Sequence, residues 1–193
     1  MRTQRPGRER PEAPDAARAE TRSARVRFLV AFGAAAGVLL AVYGYPYSPE
    51  GFVARRLILP YFLAYARAAG ALLSSFDPAV HVDGVVVSGR FPLRIVRSCD
   101  AGEAMALLVA AVIAFPVPWR RRALGLAIGV ATVFAVNVVR ICSLYLVGVQ
   151  RPDLFEAAHL HVWPLLLIGG ALTAFLIWAR WAEGVDAAPR DLA

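Results

Sequence analysis

An apolar run of membrane length begins behind the polar stretch Ser98-Cys99-Asp100-Ala101-Gly102-Glu103-Ala104-Met105. The run ends in a proline-rich segment, and the three consecutive arginines at 120–122 close it. A thiol at the start of a membrane helix is either an inert buried side chain or a nucleophile. The surrounding sequence indicates which description applies to Cys99.

The composition indicates a polytopic membrane protein. Of the 193 residues, 59% are hydrophobic, and the mean hydropathy is +0.55, which is too apolar for an ordinary soluble domain. All 21 basic residues are arginines, and many stand where apolar runs end, as topology anchors do. The expected partner is therefore the lipid bilayer and not nucleic acid. Two cysteines, Cys99 and Cys142, are too few for a disulfide scaffold.

The N-terminal part of the chain predicts a cytoplasmic tail and one membrane helix. Residues 1–27 contain eight arginines beside Pro, Glu and Ala, which is typical of a disordered, solvated arm. Residues 28–42 are apolar, and Tyr43, Tyr45 and Tyr47 follow as an aromatic belt. About 20 residues separate the arm from the last tyrosine, enough for a hydrocarbon core of ~30 Å. The basic region is too long for a secretory signal peptide.

Residues 48–98 form the predicted extracytoplasmic segment. Within it, residues 57–76 are long enough to span but contain Pro60 and Arg67, and an Arg at mid-bilayer costs about 2.5–3.5 kcal/mol. We therefore predict a helix that lies at, or dips into, the outer interface. If this helix spans instead, every later orientation is inverted. Apolar residues alternate over 79–97 around turn residues, which predicts a small β-hairpin or three short strands.

Three further membrane helices are predicted over about 100–119, 123–149 and 159–179. With the first helix they give an all-α polytopic membrane protein of four transmembrane helices, or five if residues 57–76 span. The arginines of the N-terminal arm, of 120–122 and at Arg180 place these helix ends and both termini in the cytoplasm. The predicted divisions are a tail over 1–27, a transmembrane domain over 28–180 and a second tail over 181–193.

The arginine anchors place three reactive side chains at one depth. Cys99 stands 21 residues before Arg120, Arg140 stands 18 residues after the triplet, and His159 stands 21 residues before Arg180. Because a span takes about 20 residues, each of the three is expected near the outer membrane face. An intramembrane Arg is costly and is by default a functional hypothesis. Its coincidence in depth with a thiol and an imidazole favours a catalytic site.

These residue types fit nucleophilic catalysis. Asp100 and Glu103 have capping-box spacing, so the helix is expected to begin at or just before Asp100, with Cys99 where the helix dipole favours a thiolate. His159 could take the thiol proton and return it to a leaving amine. Arg140 could stabilise the oxyanion of a tetrahedral intermediate, an interaction worth about 3–4 kcal/mol if well aimed.

Neighbouring residues have supporting or alternative roles. Asn137 lies one turn before the arginine and could position its guanidinium or only fill a polar gap between helices. Glu103 could pair with an arginine or only cap its helix. Trp163 comes four residues after His159, which predicts an aromatic wall on the same helix face. His161 is the rival base and points about 200° away.

Three motifs carry a family resemblance: Cys99 in Ser98-Cys99-Asp100-Ala101-Gly102-Glu103-Ala104-Met105, Asn137-Val138-Val139-Arg140, and His159 in Phe155-Glu156-Ala157-Ala158-His159-Leu160-His161-Val162-Trp163. They resemble the exosortase/archaeosortase family of membrane cysteine transpeptidases, and most of all its exosortase H branch. The resemblance covers about residues 28–180. Two positions depart from the family's usual pattern, since Ala101 stands where Gly is usual and Pro164 follows the tryptophan.

The resemblance implies an activity at the outer face of the bacterial inner membrane. Secreted proteins that end in a short recognition motif, a membrane helix and a basic cluster would be cleaved through a thioester on Cys99. His159 would be the general base and acid, and Arg140 the oxyanion stabiliser. An acceptor nucleophile or water would then release the product. The sequence shows no metal-ligand spacing and no cofactor motif, so no cofactor is expected.

Two other classes of function are left open by the sequence. A membrane thiol–disulfide redox protein could exchange Cys99 with Cys142, because the same arginine anchors place both near the outer face, although such proteins normally carry Cys-x-x-Cys. Cys142 is otherwise expected to be a core residue. A non-catalytic membrane assembly subunit would need none of the three reactive side chains.

Overall fold

The computed structural model describes residues 13–48 and 50–187. Their five longer helices are α1 (Ala13–Gly44), α2 (Leu59–Leu73), α3 (Gly102–Ala114), α4 (Trp119–Gln150) and α5 (Trp163–Ala187). One antiparallel sheet, in the order β1-β2-β3, consists of β1 (His81–Asp83), β2 (Val86–Ser88) and β3 (Leu93–Arg94). The predicted helical membrane fold with a small extra sheet is confirmed.

Within the residues that the structure describes, four helical stretches are long and apolar enough to cross a membrane: Glu20–Gly44, Ala54–Leu73, Trp119–Gln150 and Pro152–Gly184. The second of them joins α2 to a preceding π-helical turn, Ala54–Ile58. The predicted helix over 100–119 is shorter than expected, because α3 covers only 13 residues, or about 20 Å. It stops at Ala114 since Phe115 takes the extended conformation that a following proline requires.

The helices around α3 alternate in direction. At the C-terminal end of α1 the Tyr43 hydroxyl contacts Asp100 just before α3, and in the middle of α1 Phe28 lies edge-on to Phe115 just behind α3. α1 and α3 are therefore antiparallel. The Arg122 guanidinium of α4 donates to the Phe115 carbonyl, so α4 begins where α3 ends and runs back along it. α3 lies enclosed by α1, α4 and α5.

α2 runs in the same direction as α4. The Tyr65 ring stacks on Phe134. One turn further along α2, the Ala69 carbonyl is contacted by the Sγ of Cys142, which lies two turns further along α4, so the two helices run in the same direction. Because α1 also runs parallel to α4, α2 does not carry the chain back across the membrane. Its length would permit a span, but its direction favours the predicted helix that dips into the outer interface.

The first and last helices extend further toward the chain termini than the sequence predicts. Residues 13–27, for which the sequence predicts disorder, belong to α1, and residues 181–187 continue α5. Ala, Glu and Arg are strong helix formers, so a membrane helix readily extends through a segment rich in them. The remainder of the two predicted tails, 1–12 and 188–193, lies outside the described residues.

A buried carboxylate fastens the sheet to the outer ends of the helices. Asp77 is 6% exposed and accepts hydrogen bonds of 2.8 Å from the Arg90 Nε and the Tyr145 hydroxyl. The Tyr145 oxygen also accepts from the Arg90 backbone N–H at 3.0 Å. Hydrogen bonds from Arg90 and Tyr145 lower the pKa of Asp77. Gly70 allows α2 to approach the sheet, because a Cβ there would collide with Val82.

Replacing Tyr145 with phenylalanine is expected to loosen this attachment. The change leaves a buried carboxylate without one donor and a backbone N–H without its acceptor, which costs about 1–3 kcal/mol. We expect a lower thermal unfolding midpoint in detergent than for the wild type. Tyr45→Phe is the matched control, since the Tyr45 ring is exposed. Equal midpoints for the two variants would contradict the proposed attachment.

Candidate active site

Cys99 ends a short 3₁₀ turn, Arg97–Cys99, that leads from the sheet to α3. Its thiol is not part of a disulfide and is partly buried, and its Sγ lies 3.8 Å from the His159 Nε2. α3 itself begins only at Gly102. The prediction that Cys99 lies at the helix N-terminus is therefore wrong, and the residue precedes the helix by three positions. A thiol and an imidazole at this separation are within hydrogen-bonding reach, the basic requirement for a nucleophile and its base.

Arg140 lies beside this pair, on α4. The residue is 3% exposed, and its guanidinium lies within electrostatic reach of both Cys99 and His159. Arg140 and His159 line one cavity of about 220 Å³, together with Glu103. The structure thus brings together the three side chains for which the sequence predicts a common depth. A fixed positive charge in a largely buried site can stabilise a developing anion.

Asn137 connects the arginine to the cysteine turn. This fully buried amide donates from Nδ2 to the Cys99 carbonyl at 2.8 Å, and its Oδ1 faces the Arg140 Nη1 at 3.5 Å. Both ends of the side chain are therefore used. Of the two roles considered for Asn137, positioning the guanidinium and the cysteine turn agrees with these contacts.

Asp100 binds the backbone at the start of α3 without the predicted partner Glu103, so the capping box is not formed. Its Oδ1 accepts from the Gly102 backbone N–H at 2.9 Å and contacts the Tyr43 hydroxyl at 2.8 Å, while its backbone carbonyl accepts from Tyr61 at 2.7 Å. Glu103 is exposed and does not cap the helix; it lines the cavity beside Arg140 instead. Burial raises the pKa of the Asp100 carboxyl, and the hydrogen bonds from Gly102 and Tyr43 oppose that shift.

Ala101 has a left-handed backbone, with φ 54° and ψ 22°, between the cysteine turn and α3. It is the one residue other than glycine with positive φ in the described part of the chain. This conformation costs an L-residue with a Cβ about 1–2 kcal/mol. The Gly that is usual here in the resembling family would avoid that strain.

Substituting glycine for Ala101 is therefore expected to stabilise the protein. The strain that is relieved exceeds the extra chain entropy of glycine, for a net gain of about 0.5–1 kcal/mol. The measurement is the thermal midpoint in detergent, which should rise. Ala110→Gly, in the regular interior of α3, should lower it by a similar free energy. A fall for both variants would contradict the strain argument.

A π-helical turn changes the surroundings of His159. The turn spans Ala158–Val162, and its wider spacing breaks the rule that residues four apart share a face. Trp163 is accordingly not among the cavity-lining residues found in the described part of the chain. The ring beside the imidazole belongs to Phe155, edge-on at 5.6 Å, so the predicted aromatic wall is supplied from the other side. The rival base His161 is exposed.

The second cysteine faces another part of the protein. Cys142 is free and buried, and its Sγ lies 3.8 Å from the Ala69 carbonyl in the cluster between α2, the sheet and α4. Cys99 faces His159 instead. The two thiols have different neighbours, which gives the hypothesis of an exchanging pair no support. Within residues 13–48 and 50–187 no group of three or more acidic, His or Cys side chains is placed to hold a metal.

Sequence reasoning missed the hydrogen-bonded surroundings of Asp100. The sequence places Tyr43 in an aromatic belt and Tyr61 in a segment whose position is open, and neither assignment predicts a contact with Asp100. The signal was a carboxylate directly behind the thiol in an apolar context, because a buried acid needs hydrogen-bond partners. The sequence did not indicate which helices would supply them.

Comparison with known proteins gives one match. The family described as Transmembrane exosortase (Exosortase_EpsH) matches residues 26–178, which include Cys99, Arg140 and His159. No curated protein and no solved structure matches the chain.

Proposed function

This chain belongs to the transmembrane exosortase family, and from that membership we propose that it is a membrane cysteine peptidase and transpeptidase. Its substrates would be secreted proteins that end in a short motif, a membrane helix and a basic cluster. The cut would fall just outside the bilayer, at the outer face of the bacterial inner membrane. The observation that carries the proposal is the 3.8 Å contact between the Cys99 Sγ and the His159 Nε2, with a buried guanidinium beside them.

The first half of the reaction forms a thioester. His159 takes the Sγ proton, and the sulfur of Cys99 bonds to the carbonyl carbon of the scissile peptide. The resulting oxyanion lies against the Arg140 guanidinium. When the tetrahedral intermediate collapses, the C–N bond breaks and the imidazolium gives its proton to the leaving amine, which departs with the membrane helix and the basic tail.

The second half of the reaction releases the product. An acceptor nucleophile or water loses a proton to His159 and attacks the thioester carbonyl. The C–S bond then breaks and the thiol is restored. The geometry supports either outcome, since the cavity that holds Arg140 and His159 is open and has a volume of about 220 Å³.

The arginines support one orientation of the site. The arginines at 18–27 in α1, the triplet 120–122 and Arg180 stand toward the helix ends opposite Cys99, which supports cytoplasmic termini and an outward-facing site. The lipid bilayer then holds both the enzyme and the substrate helix. This arrangement would restrict the enzyme to substrates that are still anchored by their C-terminal helix.

A processing assay tests the proposal. The full chain is coexpressed with a secreted reporter whose C-terminus carries the three-part signal, and loss of the tail is followed by gel mobility and mass. We expect cleavage together with a covalent reporter adduct on Cys99 that hydroxylamine removes, because hydroxylamine attacks thioesters. Cleavage without any thioester adduct in a rapidly quenched sample would contradict the covalent route, and an intact reporter would contradict the proposed substrate class.

A further inference from the structure

A second cavity, the apolar cleft, lies beside the Cys99 turn between α1, α2 and α3. Its volume is about 400 Å³. The mechanism above gives this cleft no role, since it uses only the smaller cavity that holds Arg140 and His159. Polar groups stand at the outer rim of the cleft, and its walls below that rim are apolar side chains, among them Leu39, Val42, Leu57, Phe62, Met105 and Val109.

The two cavities share one wall, because Tyr43, Arg97 and Gly102 line both of them. The Tyr43 ring lies so close to Gly102 that a Cβ there would collide with it. The Arg97 guanidinium lies over the same ring, 5.9 Å from its centroid. The Tyr43 hydroxyl is also 2.8 Å from both the Arg97 carbonyl and the Asp100 Oδ1, so the wall is held in place. A chain bound at Cys99 that crosses this wall enters the apolar cleft.

From the shared wall, the apolar cleft extends toward the helix ends that carry the arginine anchors. Leu39 lies one turn before Tyr43 on α1, and Val109 lies two turns after Gly102 on α3, which runs antiparallel to α1. At a rise of 1.5 Å per residue, these positions are about 6 and 10 Å deeper in the bilayer than the wall. The cleft therefore covers about two helical turns below the level of Cys99.

The apolar cleft opens sideways between α1 and α2. α1 packs on α3, whereas α2 packs on α4. Val42 of α1 and Leu57 just before α2 both line the cleft, and both side chains remain more than half exposed, at 54% and 62%. Leu57 belongs to the π-helical turn Ala54–Ile58, and such wide turns are frequent at functional sites. An apolar element can therefore enter the cleft from the bilayer.

We propose that the apolar cleft binds the first two turns of the substrate's membrane helix, the part that directly follows the scissile bond. The inference deepens the proposed function and rests on it for the identity of the helix. In the proposed reaction, the segment beyond the cut passes from the outer face into the bilayer. The apolar cleft leads from the catalytic cavity in the same direction, and its walls match the apolar side chains of such a segment.

The size of the apolar cleft suits the side chains of a helix better than a whole helix. Its volume of about 400 Å³ lies at the lower end of the range of about 300–1,000 Å³ for ligand pockets, whereas a helix with its side chains is about 10–12 Å wide. A helix that lies in a groove is anchored by residues at i, i+3, i+4 and i+7. We therefore expect about two or three large apolar residues within the first seven positions after the cut to determine which helices are accepted.

Disulfide cross-linking tests the location of the substrate helix. The full chain carries Cys99→Ala and Cys142→Ser, which remove both native thiols and the proposed nucleophile, together with Leu39→Cys in the cleft. The reporter is otherwise free of cysteine and carries one at each of the first seven positions after the cut in turn. Copper phenanthroline with oxygen supplies the oxidant. We expect cross-links that recur about every three to four positions, as on one face of a helix.

Val38→Cys is the matched control. Val38 is the neighbour of Leu39 on α1, is 63% exposed and is not among the residues that line the apolar cleft in the described part of the chain. A helix bound in the cleft should cross-link to position 39 at least about tenfold faster than to position 38, because binding keeps the thiols close together. Equal rates overturn the proposal, since a helix that only diffuses past α1, or a cleft filled by lipid acyl chains, gives no such preference.

Filling the apolar cleft tests its importance for cleavage. Leu39→Trp places an indole where the side chains of the substrate helix would lie, so kcat/KM for reporter cleavage should fall by at least about tenfold. Val38→Trp adds the same ring on the exposed side of α1 and should stay within about twofold of wild type. Equal losses for the two variants, or no loss for Leu39→Trp, overturn the proposal. Where Leu39→Trp fails to fold, the cross-linking still decides.

These readouts separate the inference from the proposed function. Cleavage by the wild-type chain, with equal cross-linking at positions 38 and 39, overturns the binding of the helix in the cleft and leaves the processing function in place. A wild-type chain that cleaves no reporter, yet cross-links the reporter helix preferentially at position 39, disproves processing and retains the cleft as the binding site of that helix. The absence of both results overturns both proposals.

Discussion

Alanine in place of Cys99 is expected to reduce reporter cleavage by a factor on the order of 10⁴ or more, because removing the nucleophile of a covalent mechanism leaves only binding and electrostatic contributions. The thiol is the group that contacts His159, and alanine keeps the backbone while removing that contact. The measurement is the initial rate of tail loss in membranes that contain equal amounts of each variant. Cleavage within about a hundredfold of the wild-type rate would place the nucleophile elsewhere.

Cys142→Ser is the matched control for this prediction. Cys142 lies in a core cluster and contacts Ala69, so serine is expected to lower stability somewhat and to leave cleavage within a few-fold of wild type. A two-thiol redox protein would lose its activity in either variant, and an assembly subunit would tolerate both. The loss of cleavage in one variant and its persistence in the other is therefore specific to the proposed enzyme.

The meeting of the three reactive side chains could be predicted because the bilayer fixes distances along a helix. A span needs about 20 residues, so arginines at the inner ends measure the depth of a residue at the outer end. That argument brought Cys99 to His159 from positions 60 residues apart in the chain, and their side chains are in contact. The argument fixes only the depth of each residue, and their contact depends in addition on how the helices pack.

Local backbone geometry could not be predicted in the same way. The left-handed conformation of Ala101 delays the start of α3 to Gly102, and capping-box spacing alone suggested an earlier start. The π-helical turn Ala158–Val162 rotates the following residues, so the face shared by His159 and Trp163 in a regular helix does not exist. Both features depend on tertiary contacts that a periodic pattern does not contain.

The position of α2 illustrates a different limit. Its composition and length allow a membrane span, and Pro60 and Arg67 argue against one, so the sequence alone leaves the choice open. The packing direction favours the interfacial helix, because the pairing of Tyr65 with Phe134 and of Ala69 with Cys142 makes α2 parallel to α4. Helix direction is a property of packing and is absent from hydropathy.

Alanine in place of Arg140 is expected to lower kcat for reporter cleavage by about 10²–10³-fold with little change in KM, as for the removal of one oxyanion donor. Arg140 is 3% exposed as a residue, and its guanidinium lies within electrostatic reach of Cys99, so water cannot readily replace it. Single-turnover cleavage and the yield of thioester adduct measure the effect on the first step. An unchanged kcat would exclude Arg140 from transition-state stabilisation.

Arg140→Lys separates the charge of this side chain from its geometry. Lysine keeps the positive charge but lacks the planar guanidinium that faces the Asn137 Oδ1, and Asn137 in turn donates to the Cys99 carbonyl. We therefore expect the rate of reporter cleavage to fall by at least about tenfold. Asn137→Ala should fall in the same range, since it releases both the guanidinium and the cysteine turn. Removing a buried charge can also unfold the site, and iodoacetamide labelling of Cys99 checks that each variant retains it. If Arg140→Lys cleaves as fast as wild type, positive charge alone suffices and the contact with Asn137 serves only the fold.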